Sequence, residues 1–372
     1  MEKRKNMKYC GVLCALLLLF SACTDNQQDR KEKVGSLEVK YAKHFELKQR
    51  EGYVELCILQ PETGKMEYCY ALGKSSDKPV IPAGMEFIEI PVKNMAVLST
   101  THIGMLDAID ALNTIKGSTD KNFVANPTIL KGIESGKIAN FTDESAISPE
   151  SLLEKQISLV VYSGFGKGFP NEEKLKRLHV FVLADYDWRE EHPLGKAEWI
   201  KVFGYLTGKE KQANAYFEKV EKSYIETKKS LAHQSNNSSV LVGSLLGDVW
   251  YAPAGESYMA TILKDAGANY IYKKEKGTGS CERTFEQVFK DQQGIPIWIN
   301  PGATSLTNLK QQQPKYALFT AFQSGKVYCY SHKSNYFWEM GAVNPHWILS
   351  DFASILGNQS GKPLHFYQQL KN

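Results

Sequence analysis

The 372-residue sequence predicts an α/β fold: two α/β lobes joined by one long helix, with a small β extension in front. Three observations predict it. Short apolar runs alternate with helical patterns over residues 95–185 and again from residue 240 onward, the rhythm of a parallel sheet covered on both faces. Residues 195–232, between these stretches, carry no strand pattern. Residues 37–90, ahead of them, are rich in alternating apolar and polar side chains, with Pro and Gly marking turns.

The chain begins with Lys3, Arg4, Lys5 and Lys8, followed by an apolar run at 12–20. That run is far shorter than the ~20 residues a membrane-spanning helix needs, so 1–22 reads as an export signal. Ser21 and Ala22 stand just before Cys23, which resembles the bacterial lipoprotein cleavage box and implies acylation of Cys23. Acyl chains hold a bilayer by about 0.8 kcal/mol per buried methylene. Residues 23–36 are polar without an apolar period and read as a flexible tether.

Formal net charge is +4, and removal of 1–22 leaves the remainder near +1, which gives no reason to expect nucleic acid. Beyond Cys23 the cysteines are Cys57, Cys69, Cys281 and Cys329, whose spacing matches no zinc pattern. Within the β extension, 37–92, "GYVELCILQPETGKMEYCYALG" reads as a hairpin turning at Thr63-Gly64. This register sets Cys57 opposite Cys69, either as a disulfide or as two thiols on the core face.

In the first lobe, 93–194, "MAVLST" is a buried strand and "THIGMLDAIDALN" a helix with Ile103, Leu106, Ile109 and Leu112 on one side. "TIKGST" is the next strand. "NPTILKGIESG" is a helix opened by Asn126-Pro127 and closed by Gly136, and "SPESLLEKQ" is a helix capped by Ser148. "SLVVYSG" and "HVFVLADY" are strands flanking the helix "NEEKLKRL". In the connection, 195–233, "KAEWIKVFGYLTG" reads as one helix stopped by Gly208. Residues 209–232 then form a long helix with Ala213, Tyr216, Phe217, Val220, Tyr224, Ile225 and Leu231 on one stripe. Such a helix spans ~36 Å, enough to cross from lobe to lobe.

In the second lobe, 234–372, "VLVGSLLGDVWYAPAG" gives one or two strands, "ESYMATILKDAG" a helix, "ANYIY" a strand and "TFEQVFKDQQG" a helix. "IPIWINPG" is a buried strand, "SLTNLKQQ" a helix, "GKVYCYS" a strand, and "NPHWILSDFASILG" a closing helix with Pro345 at its start.

Two segments echo each other: "SPESLLEKQISLVVYSG" at 148–164 and "RTFEQVFKDQQGIPIWINPG" at 283–302. Together with "AVLSTTHIGML" and "GESYMATILKDAGANY", they resemble the substrate-binding proteins of bacterial ABC importers. The branch resembled has two Rossmann-like lobes joined by a rigid helix and handles iron-siderophore complexes, haem or cobalamin. It departs from the pattern at "KQISLVV", where the family commonly has Lys-Pro-Asp, and the β extension lies outside the family plan. The resemblance implies a monomer held at the membrane by its lipid anchor, with an ABC permease as partner and a small-molecule chelate as ligand. It also implies that one acid near each lobe tip meets the permease: Glu150 and Glu286, each in a first helical turn.

Ligands in open α/β sheets bind beyond the carboxyl ends of the strands. The loops that qualify supply Thr101, His102, Phe165, Tyr186, Trp188 and Arg189 from the first lobe. The second lobe supplies Trp250, Tyr251, Tyr336, Phe337 and Trp338. Flat aromatic faces suit a macrocycle or catecholate rings, and an arginine suits carboxylate or phosphate edges. His102, with His192 and His332 behind it, is a candidate axial ligand to haem iron or cobalt. Those histidines with Glu339 could instead serve zinc or manganese, the cargo of another importer component. A tetrapyrrole chelatase-like enzyme would share the lobes and the histidines but not account for the anchor. "YSGFG" is no nucleophile elbow, and "GFGKGF" lacks the Lys-Ser/Thr of a phosphate loop.

Overall fold

The computed structural model describes residues 35–77, 79–165, 168–232, 237–331, 336–357 and 363–372. The export signal, the anchor at Cys23 and His332 lie outside them. No helix among the described residues is long and apolar enough to cross a membrane.

The β extension is a five-stranded sheet in the order β1 (Gly35–Ser36), β2 (Phe45–Arg50), β3 (Tyr53–Leu59), β4 (Met66–Gly73) and β5 (Glu86–Glu89). The β3–β4 hairpin has the register its alternation predicts. Cys57 stands opposite Cys69 with Cα atoms 4.2 Å apart, and the two are joined as a disulfide. The sheet packs against the first lobe through its tyrosines. Tyr70 donates its hydroxyl to the carbonyl of Val182, and Tyr68 donates to Glu172 over 3.1 Å.

The first lobe is an all-parallel sheet of β6 (Met95–Val97), β7 (Ile115–Ser118), β8 (Ala139–Asn140), β9 (Leu159–Ser163) and β10 (Phe181–Asp185). Its spatial order, β10-β9-β6-β7-β8, reverses direction between β6 and β9. Helices α1 (Thr100–Ala108), α2 (Pro127–Glu134), α3 (Pro149–Glu154) and α4 (Glu172–Arg177) connect the strands. Asn126 and Ser148 cap α2 and α3 by accepting backbone N–H bonds, as their sequence positions predict.

The connection differs from expectation in one respect. "KAEWIKVFGYLTG" is not one helix: α5 (Pro193–Glu198) and α6 (Ile200–Thr207) meet at the buried Trp199, and α5 already begins at Pro193. Pro193 fixes an N-terminal start, and the Trp199 indole donates to Glu190 over 3.0 Å. Gly208, at φ +69°, ends α6 in the left-handed conformation that glycine allows. The long helix α7 (Glu210–Leu231) follows, burying Ala213, Phe217, Val220, Tyr224 and Leu231 of the expected stripe. Near its start Ala213 lies against Gly204 of α6, where an added Cβ would approach to 2.6 Å. Further along, Tyr224 donates to Asp265 in the second lobe over 2.8 Å, and Lys228 pairs with the same carboxylate at 2.9 Å.

The second lobe has β11 (Ser239–Val242), β14 (Asn269–Tyr270), β16 (Ile297–Ile299), β17 (Val327–Tyr330) and an antiparallel edge strand β18 (Tyr367–Gln369), in the order β14-β11-β16-β17-β18. The stretch read as one or two strands makes three. After β11, Gly243 at φ +115° lets the chain turn into a hairpin of β12 (Ser244–Leu246) and β13 (Val249–Pro253). An unexpected strand, β15 (Ser280–Thr284), completes this antiparallel sheet. Helix α8 (Tyr258–Asp265) is capped by Ser257, and the helix Phe285–Asp291 has a full capping box from Thr284 and Gln287.

Candidate functional site: an aromatic cleft between facing strand ends

Each parallel sheet presents the carboxyl ends of its strands to the same crevice. The first lobe contributes Ser99 and Thr101 after β6, and Ser163 at the end of β9, which is where its strand order reverses. Helix N-termini and polar loop ends converge at such a point. From the second lobe come Gly243 after β11, Asn300 after β16 and Tyr330 at the end of β17. Two adjoining cavities of about 400 and 230 Å³ occupy the crevice. Both are walled by Phe165, Trp188, Tyr258, Phe337 and Trp338. The first also takes Tyr251, which β13 turns toward the opening.

The rings are arranged in pairs. Phe165 is 71 % exposed and packs on Trp188 with centroids 4.6 Å apart. Phe337 stacks on Tyr330 at 3.9 Å, and Trp338 meets Tyr330 edge-on at 5.2 Å. The indole N–H of Trp188 has no acceptor among the described residues. On the floor, Lys196 pairs with Asp187 at 2.8 Å, both nearly buried, and the ammonium lies 5.1 Å from the Tyr258 ring. Burial pulls the Lys196 ammonium down, but Asp187 beside it, together with Tyr258 and Asp185, outweighs this and holds it above its usual value. A floor so paired carries little net charge, so the aromatic faces dominate what the cleft can grip.

Thr101, Phe165, Trp188, Tyr251 and Trp338, expected at the cleft, line it. Five other expectations need correction. His102 is fully buried with Nε2 3.2 Å from Asp185 and its ring against Phe203, so it offers no atom to a cargo metal. The first turn of α1 points it into the lobe while Thr101 faces out. Trp250 is also fully buried, stacked on Trp298 at 5.5 Å, because alternation along β13 sends it inward where Tyr251 goes outward. Tyr186 is buried and donates to Glu67 of the β extension over 2.6 Å. Arg189 lines neither cavity but lies beside their wall: its guanidinium is 5.0 Å from the Trp188 ring, Nη1 pairs with Glu62 at 3.0 Å, and Nε donates to Thr278 of the first cavity over 3.2 Å. Tyr336 is exposed and outside both cavities, starting the short helix Phe337–Met340 with φ +54°.

His192 likewise lies elsewhere, its ring stacked on Tyr41 at 4.9 Å with Nδ1 accepting from Leu194. Among the described residues no three His, Cys, Asp or Glu side chains gather in a way that could hold a metal ion. Sequence reasoning missed Tyr258 and Tyr330. Tyr330 ends a strand and was open to the strand-end rule; Tyr258 follows the Ser257 cap, and only the packing of α8 shows that it faces the cleft. Glu150 and Glu286 are exposed in the first turns of α3 and of Phe285–Asp291. The Glu150 carboxyl is held below its usual value by its own backbone N–H and the Ser148 hydroxyl.

Two α/β lobes with facing strand ends, an aromatic crevice and a helix that ties both sides make a protein that holds a small molecule between its halves. The chain belongs to the periplasmic binding protein family, whose sequence profile matches residues 95–333. An uncharacterized lipoprotein of Methanocaldococcus jannaschii is 28 % identical over 315 residues, covering 79 % of this chain and 74 % of the relative. A second lipoprotein of that organism is 24 % identical over 360 residues, covering 92 % and 89 %. Among solved structures, a periplasmic haem-binding protein from Pseudomonas aeruginosa superposes with a TM-score of 0.59 at 14 % identity, covering 75 % of this chain and 98 % of its own. A periplasmic vitamin B12-binding protein of Vibrio cholerae gives 0.53 at 11 %, covering 72 % and 98 %. At such identities these two structures speak for the fold.

Proposed function

We propose that this protein captures a metal chelate, either an iron siderophore, haem or a corrinoid, in the interlobe cleft and delivers it unaltered to an ABC permease. The observation that carries the reading is the aromatic wall of Phe165, Trp188, Tyr251, Tyr258, Phe337 and Trp338 around one crevice. Flat rings offer stacking area to a macrocycle or to aromatic chelating groups. The haem- and B12-binding relatives, which share the fold, are consistent with that cargo class. A bare zinc or manganese ion is disfavoured by the burial of His102 and the distant position of His192. The same two placements count against a chelatase, which needs a base at the macrocycle.

Acylation at Cys23 keeps the binding unit near its permease and raises its effective concentration there, with 23–34 as leash, since Gly35–Ser36, expected in the tether, pair as β1 with β2. Glu150 and Glu286 supply one exposed carboxylate on each lobe for docking, and Leu153, 51 % exposed on the same helix as Glu150, adds an apolar contact beside it. Uptake by cells carrying the Glu150→Ala, Glu286→Ala double variant tests this: transport is abolished while the purified variant binds cargo as the parent does. Transport at the parental rate refutes the docking role.

A further inference from the structure

Glu339 is 1 % exposed, and its carboxylate reaches from second-lobe sequence into the first lobe. Its Oε1 accepts from the backbone N–H of Ala125 at 2.7 Å and of Asn126 at 3.0 Å, immediately ahead of α2. The backbone around Glu339 lies so close to α1 that a Cβ on Gly104 would stand 1.7 Å from the Glu339 carbonyl oxygen. One turn further on, Asn344 donates to the carbonyl of Met340 at 2.9 Å and accepts from Tyr216 of the long helix at 2.9 Å. The helix so anchored, Phe337–Met340, carries two of the rings that wall both cavities, Phe337 and Trp338.

We infer that Glu339 is a positioning residue of the cargo site: it fastens the Phe337–Trp338 wall to the first lobe, although the chain reaches that wall from the second-lobe sheet. The wall is thereby held against the first lobe as well as against the second, where Phe337 stacks on Tyr330 at 3.9 Å. This rests on the reading of the cleft as the cargo site. Both bonds end on one oxygen, so reach, not charge, is what the arrangement requires. Gln keeps that oxygen in place; Asp, one methylene shorter, withdraws it.

The test compares Glu339→Asp, Glu339→Gln and Glu339→Ala by titration with haemin and with cyanocobalamin, alongside amide hydrogen exchange of the cargo-free protein over residues 123–130. Glu339→Asp and Glu339→Ala weaken binding of the accepted probe about tenfold, the equivalent of one to two lost buried hydrogen bonds, and deprotect the Ala125 and Asn126 amides. Glu339→Gln stays within about twofold of the parent on the same scale. Parental affinity or parental exchange in Glu339→Asp overturns the inference, as does Glu339→Gln failing like Glu339→Ala. Tyr251→Ala, on the opposite wall, separates the two claims. If it weakens binding while Glu339→Asp does not, only the positioning role falls; if it has no effect, the cargo-site reading falls and takes the positioning role with it.

Discussion

The hydroxyl of Tyr216 on α7 donates to Oδ1 of Asn344 over 2.9 Å, at the entrance to the last helix, Pro345–Ile355. Two turns along the same helix, Tyr224 donates to Asp265 of α8 over 2.8 Å. The connecting helix is therefore sewn to the second lobe at two points, and to the first lobe through α6, where Gly204 admits Ala213. A helix held on both sides is expected to resist a wide hinge.

Removing these two hydroxyls measures how much they hold. Tyr216→Phe and Tyr224→Phe each lose a part-buried hydrogen bond worth about 1 kcal/mol. The sites are eight residues apart, ~12 Å along a helix, so their effects add to about 2 kcal/mol. Urea denaturation of the single and double variants checks both the size and the additivity.

The β extension is fastened by buried carboxylates. Glu198, fully buried, accepts from the backbone N–H groups of Lys40 at 2.9 Å, Tyr41 at 2.7 Å and Ala42 at 3.0 Å, and pairs with Lys201 at 2.7 Å. Glu198→Ala leaves the buried Lys201 ammonium uncompensated as well as three donors unmet, a loss of about 3 to 5 kcal/mol. Hydrogen exchange over residues 38–44 should rise sharply, and the denaturation midpoint should fall.

Glu190 makes that fastening depend on pH. Burial pushes its carboxyl up to about 7, against the pull of the N–H groups of Lys43 and His44 and the indole of Trp199, while nearby Asp185 adds to the rise. A carboxyl raised in the folded state binds more protons there than in the unfolded chain. Its contribution to stability is thus present below the unfolded value of 4.5 and is lost as pH climbs through about 7, a span on the order of 3 kcal/mol. His44, held below its usual value by burial, works in the opposite sense over the acid part of that range. Comparison with Glu190→Gln therefore isolates the effect: between pH 5 and 8 the parent loses stability relative to the variant.

Much of this fold was legible because period and punctuation agreed. Asn126-Pro127, Ser148-Pro149 and Gly208 each mark a helix end where the sequence puts one, and the hairpin register set Cys57 against Cys69. The short strands β8, β15 and β18 were not legible; β15, "SCERT", offers Cys281 as its one apolar residue, too little to mark an alternation. The site was readable to the level of loops, not of side chains. Strand ends named the crevice, but whether a ring faces in or out depends on one residue of register, which is what separates Trp250 from Tyr251. His102 and Tyr186 sit at the expected strand ends and were taken by interior partners, Asp185 and Glu67, that no local pattern announces.

The most direct measurement of the central claim is an absorption and tryptophan-fluorescence titration of the purified chain with haemin, cyanocobalamin and a ferric siderophore, repeated on Trp338→Ala. One chelate should bind one-to-one, quench the cleft indoles and be recovered chemically unchanged, with affinity at least about tenfold weaker in the variant, as expected for loss of a large aromatic contact. Binding indifferent to Trp338, or no binding of any chelate, would contradict it.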